Sequence, residues 1–146
     1  MTAAMSTIGA RMPAFTVEGR RVLVVGAARS GVAAAQLLAR RGASVTLTDR
    51  AASIAAADDL RAAGVALDLG GHDPRLFTDA DLVVTSPGVP PELPELVSAR
   101  AAGVPVIGEL EMASRWVRGP IVAITGTKGK STTTTLVGRM LEASGR

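Results

Sequence analysis

Residues 126–132, which read GTKGKST, have the types and order of a loop that binds phosphate. Successive backbone N–H groups at the start of a helix can surround an anion. Lys130 can reach the β- and γ-phosphates of a nucleoside triphosphate, and the hydroxyl of Ser131 or Thr132 can bind Mg²⁺ beside phosphate. The alternative is a Gly-Lys turn before a Ser/Thr-rich helix. The predicted phosphate-binding residues are Gly126, Thr127, Lys128, Gly129, Lys130, Ser131 and Thr132.

This loop departs from the usual G-x-x-x-x-G-K-[ST] template, because Ile124 stands where the first glycine is expected. The chain contains two lysines, Lys128 and Lys130, and both lie in this loop, whereas arginine carries positive charge elsewhere. A compact ammonium group suits a phosphate oxygen. The lysine placement therefore favours phosphate binding despite the missing glycine.

A second glycine loop, VVGAARSG, follows the first apolar run. Gly26 and Gly31 match the outer positions of the dinucleotide pattern G-x-G-x-x-G, but Ala28 stands in the middle. The middle glycine allows the close approach of a pyrophosphate, so its absence argues against NAD or FAD. The loop favours a nucleotide phosphate or sugar at the helix N-terminus. A tight turn that binds nothing and a redox dinucleotide site remain alternatives.

Two other segments follow predicted strands. Asp49 lies at the end of the second strand, where an acid can bind a ribose, and Arg50 follows it. The segment 86–94, SPGVPPELP, follows the fourth strand and is either a rigid turn or a wall of a ligand crevice. In the second case Ser86 can donate a hydrogen bond, and Gly88 lets the backbone approach a ligand.

For four further residues, structural or solvent-facing roles are weighed against chemical ones. His72 is predicted to be a solvated loop residue rather than a catalytic base, and Trp116 to pack a short helix against the sheet. Glu109 and Glu111 are either a carboxylate pair near the phosphate loop or the polar side of a short helix. With one histidine and no cysteine, the sequence excludes multi-histidine metal sites, disulfides and a thiol nucleophile.

The length and composition predict a chain long enough for one ordinary globular domain. The 146 residues are 47% hydrophobic and 20% charged, which excludes a disordered chain. No apolar run reaches the about 18 residues that span a membrane. The net charge is +3, but the arginines are scattered and aromatic residues are scarce, which argues against nucleic-acid binding. The absence of cysteine fits a cytoplasmic protein.

Apolar runs alternate with helical patterns along the chain. The pattern predicts strands at 20–26, 43–49, 65–70, 81–88, 104–109 and 121–126. It predicts helices at 30–42, 53–64, 94–103, 110–117 and 130–145, with Ser30 and Ser53 as N-caps and Gly42 and Gly64 as stops. This order predicts an α/β fold: a Rossmann-like parallel sheet with flanking helices, followed by the first strand, phosphate loop and helix of a second mononucleotide-binding domain.

Five segments together resemble the Mur ligases of peptidoglycan synthesis. They read VLVVGAARSG, TLTDR, ADLVVTSPGVP, GVPVIGELE and IVAITGTKGKSTTTTLVG. The resemblance covers Val22 to Gly145 and is greater to the branch that adds D-glutamate than to the one that adds L-alanine. The phosphate loop of this family has the form G-T-x-G-K-[ST]-T, so Ile124 resembles a family trait. Lys128 departs from that branch, where asparagine is common.

The resemblance implies an ATP- and Mg²⁺-dependent ligase. Such an enzyme phosphorylates the carboxylate of UDP-N-acetylmuramoyl-L-alanine, and D-glutamate attacks the acyl phosphate to form an amide. Carried over by motif, Lys130 is the catalytic residue that neutralises the γ-phosphoryl group, and Ser131 or Thr132 reaches the metal. The implied residues for the UDP substrate are Arg29, Ser30, Asp49, Arg50, Ser86, Pro87 and Gly88.

The resemblance also implies the domain organisation. We expect a flexible tail at 1–18, a UDP-binding Rossmann-like domain at 19–107 and the start of an ATP-binding central domain at 108–146. The chain is then the N-terminal portion of a ligase that is monomeric at full length, and we expect no ligation by these residues alone. The competing hypotheses are a stand-alone UDP-sugar-binding module and a small NAD-binding redox protein.

Overall fold

The structure is a computed structural model that describes residues 15–119 and 122–145. The chain divides into two compact units, Met1–Trp116 and Val117–Arg146. None of the helices in the described ranges is long and apolar enough to cross a membrane.

The first unit is a five-stranded parallel sheet with helices on both faces, which confirms the predicted fold class. The strand order is β3-β2-β1-β4-β5. The strands are β1 Arg21–Val25, β2 Ser44–Asp49, β3 Ala66–Leu69, β4 Leu82–Thr85 and β5 Val106–Gly108. The helices are α1 Arg29–Arg40, α2 Ala57–Ala62, α3 Pro74–Asp79, α4 Pro94–Ala101 and α5 Glu109–Ser114.

Alternate residues of the central strand β1 enter two separate cores, as the pleat of a strand requires. Val22 and Val24 pack with residues of α1, α2 and α5 on one face. Leu23 and Val25 pack with residues of α3 and α4 on the other. In the register of the sheet, Val25 lies opposite Thr48 of β2 and Thr85 of β4, so the carboxyl ends of these three strands form one edge.

Glycines end the helices where the sequence predicts stops. Gly42 follows α1 with φ +82° and Gly64 follows α2 with φ +80°, conformations that a side chain disfavours. The predicted N-caps are wrong: α1 begins after Ala28 and α2 after Ala56, and neither start has a side-chain cap. The first N–H groups of α1 are therefore left without a side-chain acceptor, which matters for the site described below.

The segment before β1 is packed against the domain from residue 15 onward. Val17 is buried, the indole N–H of Trp116 donates to the carbonyl of Phe15 at 3.0 Å, and the two aromatic rings lie 5.1 Å apart. Residues 15–18 thus belong to the packed unit and not to a flexible tail, whereas 1–14 lie outside the described residues. Trp116 packs against the core next to α5, and it also fastens this N-terminal segment.

The second unit contains the helix α6, Lys130–Ala143, close to the predicted range 130–145. The strand expected at 121–126 is not formed by the described part of that range, 122–126. A β-strand forms only where its backbone is hydrogen bonded to a neighbouring strand. No described residue forms such a pair with this segment. The apolar run alone therefore gave the wrong local structure here, and residue 121 lies outside the described residues.

Candidate functional site

The carboxyl ends of β1, β2 and β4 border a crevice of about 190 Å³. Ligands of open parallel sheets bind at this edge. Among the predicted substrate residues, Asp49, Arg50 and Gly88 line the crevice together. The complete lining is Val25, Gly26, Asp49, Arg50, His72, Gly88, Val89, Pro90 and Leu93.

Tight packing explains both glycines of the first loop. Gly26 has φ +103°, and a Cβ there would lie 2.9 Å from both Cβ and Oγ of Ser86. A Cβ on Gly31 would lie 1.9 Å from the carbonyl oxygen of Gly26, which is closer than atoms can approach. The β1–α1 turn is therefore pressed against the end of β4, and the two glycines are needed whether or not a dinucleotide binds.

Asp49 fixes the backbone on two sides of the crevice. Its Oδ2 accepts a hydrogen bond from the N–H of Ala27 at 2.6 Å, and its Oδ1 accepts one from the N–H of Ala51 at 2.8 Å. The carboxylate thus ties the β1–α1 turn to the end of β2. Arg50 beside it is exposed and lines the crevice.

Ser86 is buried and bonds within the protein. Its hydroxyl lies 3.3 Å from the carbonyl oxygen of Gly26 and donates to the carboxylate of Glu109, at the start of α5. Ser86 thus connects the first loop to the start of α5. Pro87 and Gly88, which follow it, are exposed. Glu109 and Glu111 do not form a pair, because Glu111 bonds to Arg115 instead, at 2.7 Å.

The N-terminus of α1, which begins after Ala28, has neither a side-chain cap nor an acidic residue in its first turn. Its first N–H groups carry the positive end of the helix dipole, and the exposed Arg29 and Ser30 stand in the same turn. These features fit a phosphate group at this position, where the sequence predicts one.

The predicted triphosphate loop of the second unit has a comparable helix start. Gly129 is the N-cap of α6 with φ +77°, and no side chain caps the helix. The ammonium group of Lys130 donates to the carbonyl oxygen of Gly126 at 2.5 Å and so lies over the loop. Ser131 and Thr132 are exposed in the first turn. Free N–H groups, a lysine and hydroxyls therefore occur together, as a phosphate site requires.

The comparison with protein families shows which family this chain belongs to. The sequence profile of the family described as "Mur ligase MurD-like, N-terminal domain" matches residues 20–108. The chain belongs to this family.

Full-length relatives of this MurD-like chain are named UDP-N-acetylmuramoylalanine--D-glutamate ligase. The chain is 58% identical to the one from Anaeromyxobacter dehalogenans over 89% of its own length and 29% of that protein. It is 51% identical to the one from Desulfosudis oleivorans, over 88% of its length and 29% of that protein. The MurD-like chain thus spans less than a third of the length of these relatives.

Solved structures share the fold. The pseudomurein peptide ligase type C from Methanothermus fervidus superposes with a TM-score of 0.60 at 29% identity, covering 87% of this chain and 27% of that one. The UDP-N-acetylmuramate-alanine ligase MurC from Thermotoga maritima gives 0.55 at 29% identity, covering 84% and 29%.

Within its described residues, the MurD-like chain has no group of three or more histidine, cysteine, aspartate or glutamate side chains able to hold a metal ion. Ser131 and Thr132 offer hydroxyl oxygens only. They suit Mg²⁺ as additions to phosphate oxygens and water, since magnesium keeps several waters and is commonly held through the phosphates of its substrate.

The sequence does not indicate two contacts at or next to the crevice of the MurD-like chain. Glu109 bonds to Ser86 across 23 positions of sequence, and His72 lines the crevice with its ring half buried. His72 is therefore not the solvated loop residue that the sequence predicts. Both contacts form between distant segments, so no local pattern indicates them.

Proposed function

We propose that this chain is the N-terminal part of an ATP-dependent ligase that joins D-glutamate to UDP-N-acetylmuramoyl-L-alanine in the cytoplasm. The observation that carries the proposal is the crevice at the carboxyl ends of β1, β2 and β4, beside the uncapped N-terminus of α1. The family match at residues 20–108 and the names of the relatives support the same substrate class.

In the proposed reaction, a carboxylate oxygen of the UDP-linked substrate attacks the γ-phosphorus of ATP. An acyl phosphate forms and ADP leaves. The amine of D-glutamate then attacks the acyl carbon, an amide bond forms, and inorganic phosphate leaves with the loss of a proton from the amine. The groups for D-glutamate are assigned to no residue of this chain.

The proposed roles follow the electrostatics of each loop. Lys130 and the free N–H groups of α6 stabilise the negative charge that develops on the transferred phosphoryl group. Ser131 or Thr132 adds a hydroxyl ligand to Mg²⁺, which supplies further charge neutralisation when bound. In the first unit, Arg29 and Ser30 hold the diphosphate, and the crevice beside Arg50 holds the nucleoside.

The binding half of the proposal is tested by calorimetry with UDP and with NAD. We expect UDP to bind and NAD to bind far more weakly. Arg29→Ala is expected to weaken UDP binding about tenfold, because a charge-assisted hydrogen bond to phosphate is lost. Arg40→Ala is the matched control, since Arg40 lies in the last turn of the same helix. Tight NAD binding, or equal effects of the two substitutions, contradicts the proposal.

The ATP half is tested with the phosphate loop. We expect Lys130→Ala to weaken ATP binding at least about tenfold, because its ammonium group lies over the loop. Ser114→Ala is the control, since its hydroxyl bonds to the carbonyl of Glu111 within α5. ATP binding that survives the change at Lys130 contradicts the assigned role.

A further inference from the structure

A partly buried hydrogen-bond network connects the end of β2 with His72, which lines the crevice. Thr48, at the end of β2, is fully buried, and its hydroxyl oxygen lies 2.8 Å from Oδ2 of Asp68 and 2.8 Å from Nδ1 of His72. The carbonyl of Gly71 lies 3.2 Å from the same hydroxyl, and the N–H of Asp73 donates to Oδ2 of Asp68 at 3.1 Å.

Proton counting in this network fixes the tautomer of His72. The hydroxyl of Thr48 has one proton, and a carboxylate only accepts hydrogen bonds. The 2.8 Å contact with Asp68 therefore takes the proton of Thr48, because two acceptors without a proton between them repel. The contact between Thr48 and Nδ1 of His72 then requires the proton of Nδ1. In the neutral ring, Nε2 is left as an acceptor.

The ring of His72 is held in place as well as in its tautomer. The rings of His72 and Phe77 form a T-shaped pair with centroids 5.8 Å apart, and Phe77 is itself fully buried in α3. His72 lines the crevice, and with Nδ1 turned to Thr48 the nitrogen left for a ligand is Nε2. No described residue bonds to Nε2. The free acceptor of this ring thus belongs to a residue that lines the crevice together with Arg50.

We propose that Nε2 of His72 accepts a hydrogen bond from the imide N3–H of the uracil base, and so selects uridine nucleotides. The inference rests on the proposed binding of UDP. A phosphate oxygen is itself an acceptor, so neutral Nε2 does not suit the diphosphate, which the N-terminus of α1 attracts instead. His72 contacts Thr48 at the end of β2, and α1 follows β1, so in this proposal the base and the diphosphate meet different strand ends of the same crevice.

The first test compares three ligands by calorimetry on the unaltered chain. UDP and 5-methyl-UDP keep N3–H, whereas N3-methyl-UDP replaces it with a methyl group. We expect N3-methyl-UDP to bind about threefold to tenfold more weakly than 5-methyl-UDP, the loss of one hydrogen bond. Equal binding of the two methylated ligands overturns the role of His72 and leaves the proposed function standing. No binding of UDP overturns both.

Two substitutions separate a ligand role from a structural one. In His72→Asn the shorter amide still reaches Thr48 but not the ligand, so the preference for N3–H is expected to vanish. In His72→Gln the longer amide places an oxygen near the position of Nε2, so part of the preference is expected to return. Preference retained in the Asn variant contradicts the proposal.

The tautomer is observable directly, because the chain has one histidine. The ¹⁵N shifts of its two ring nitrogens, recorded for the neutral form of the ring, report which one carries the proton. We expect the Nδ1–H form, a change at Nε2 on adding UDP, and no such change with N3-methyl-UDP. Thr48→Val is expected to release the tautomer preference. An Nε2–H ring in the unaltered chain overturns the proposal.

Discussion

At the scale of single residues, the turn beside the crevice requires glycine at positions where a Cβ would collide with neighbouring atoms. A Cβ on Gly31 would lie 1.9 Å from the carbonyl oxygen of Gly26 and 2.8 Å from Oγ of Ser86. Neither atom can move away easily. The first belongs to the backbone of Gly26, and the second belongs to Ser86, which is buried and hydrogen bonded. The turn that presents α1 to a ligand therefore has one allowed position.

Gly31→Ala is accordingly expected to lower the free energy of unfolding by about 1–3 kcal/mol and to weaken UDP binding, since the turn must move. Denaturant unfolding and calorimetry measure the two effects. Gly108→Ala is the control, because a Cβ there meets nothing within 4 Å and its φ is −80°. Equal stability of the two variants would show that the turn is not tightly packed.

The residue scale also shows how far the sequence alone could go. Asp49, Arg50 and Gly88 stand at or just after the carboxyl ends of predicted strands, and that position alone indicates the edge of a parallel sheet where ligands bind. The partner of Ser86 is Glu109, and the partner of His72 is Thr48. Those pairings depend on which strands are neighbours in space, which hydrophobic periodicity does not determine.

At the scale of elements, the helix ends predicted from glycine are confirmed, whereas the helix starts predicted from serine are wrong. Gly42 and Gly64 end their helices because glycine adopts the left-handed backbone conformation at little cost in free energy. Ser30 and Ser53 were predicted as caps from local preference, but each helix begins elsewhere. The segment 122–126 forms no strand, since an apolar run has strand structure only where a neighbouring strand pairs with it.

The beginnings of β1 and β4 are joined by charge. Oδ2 of Asp81 accepts the N–H of Arg21 at 2.8 Å, and Oδ1 accepts its guanidinium at 3.1 Å. The hydrogen bond from the Arg21 side chain lowers the pKa of Asp81 below its ordinary value of 3.8, and the backbone hydrogen bond adds to this effect. A lowered pKa stabilises the fold above that ordinary value, and the stabilisation is lost as the pH falls through the lowered one.

Asp81→Asn is therefore expected to be less stable than the unaltered chain at neutral pH. The difference should shrink as the pH falls from about 4 through the lowered pKa of Asp81, where the carboxylate of the folded chain takes up a proton. Because the pair is partly exposed, added salt should reduce the difference too. Denaturant unfolding across pH measures it. A difference that persists unchanged into acid would show that the charge on Asp81 contributes nothing.

At the scale of the whole molecule, both hydrophobic cores are formed by residues of the first unit. Their buried residues run from Val17 to Met112, with Phe15 and Trp116 packed against the edge. The described residues of the second unit add none, and α6 has no buried residue. The sheet and its crevice are therefore expected to be independent of the residues that follow Gly119.

A chain shortened to end at Gly119 is expected to unfold at the same temperature as the full chain and to bind UDP with the same affinity. A chain that ends at Ser114 also loses Trp116, whose ring contacts Phe15 and lies 4.3 Å below the guanidinium of Arg41. We expect this second truncation to cost on the order of 2 kcal/mol, less than a fully buried tryptophan. Circular dichroism follows both. Loss of cooperative unfolding on stopping at Gly119 would show that the residues after Gly119 are needed for the first unit to fold.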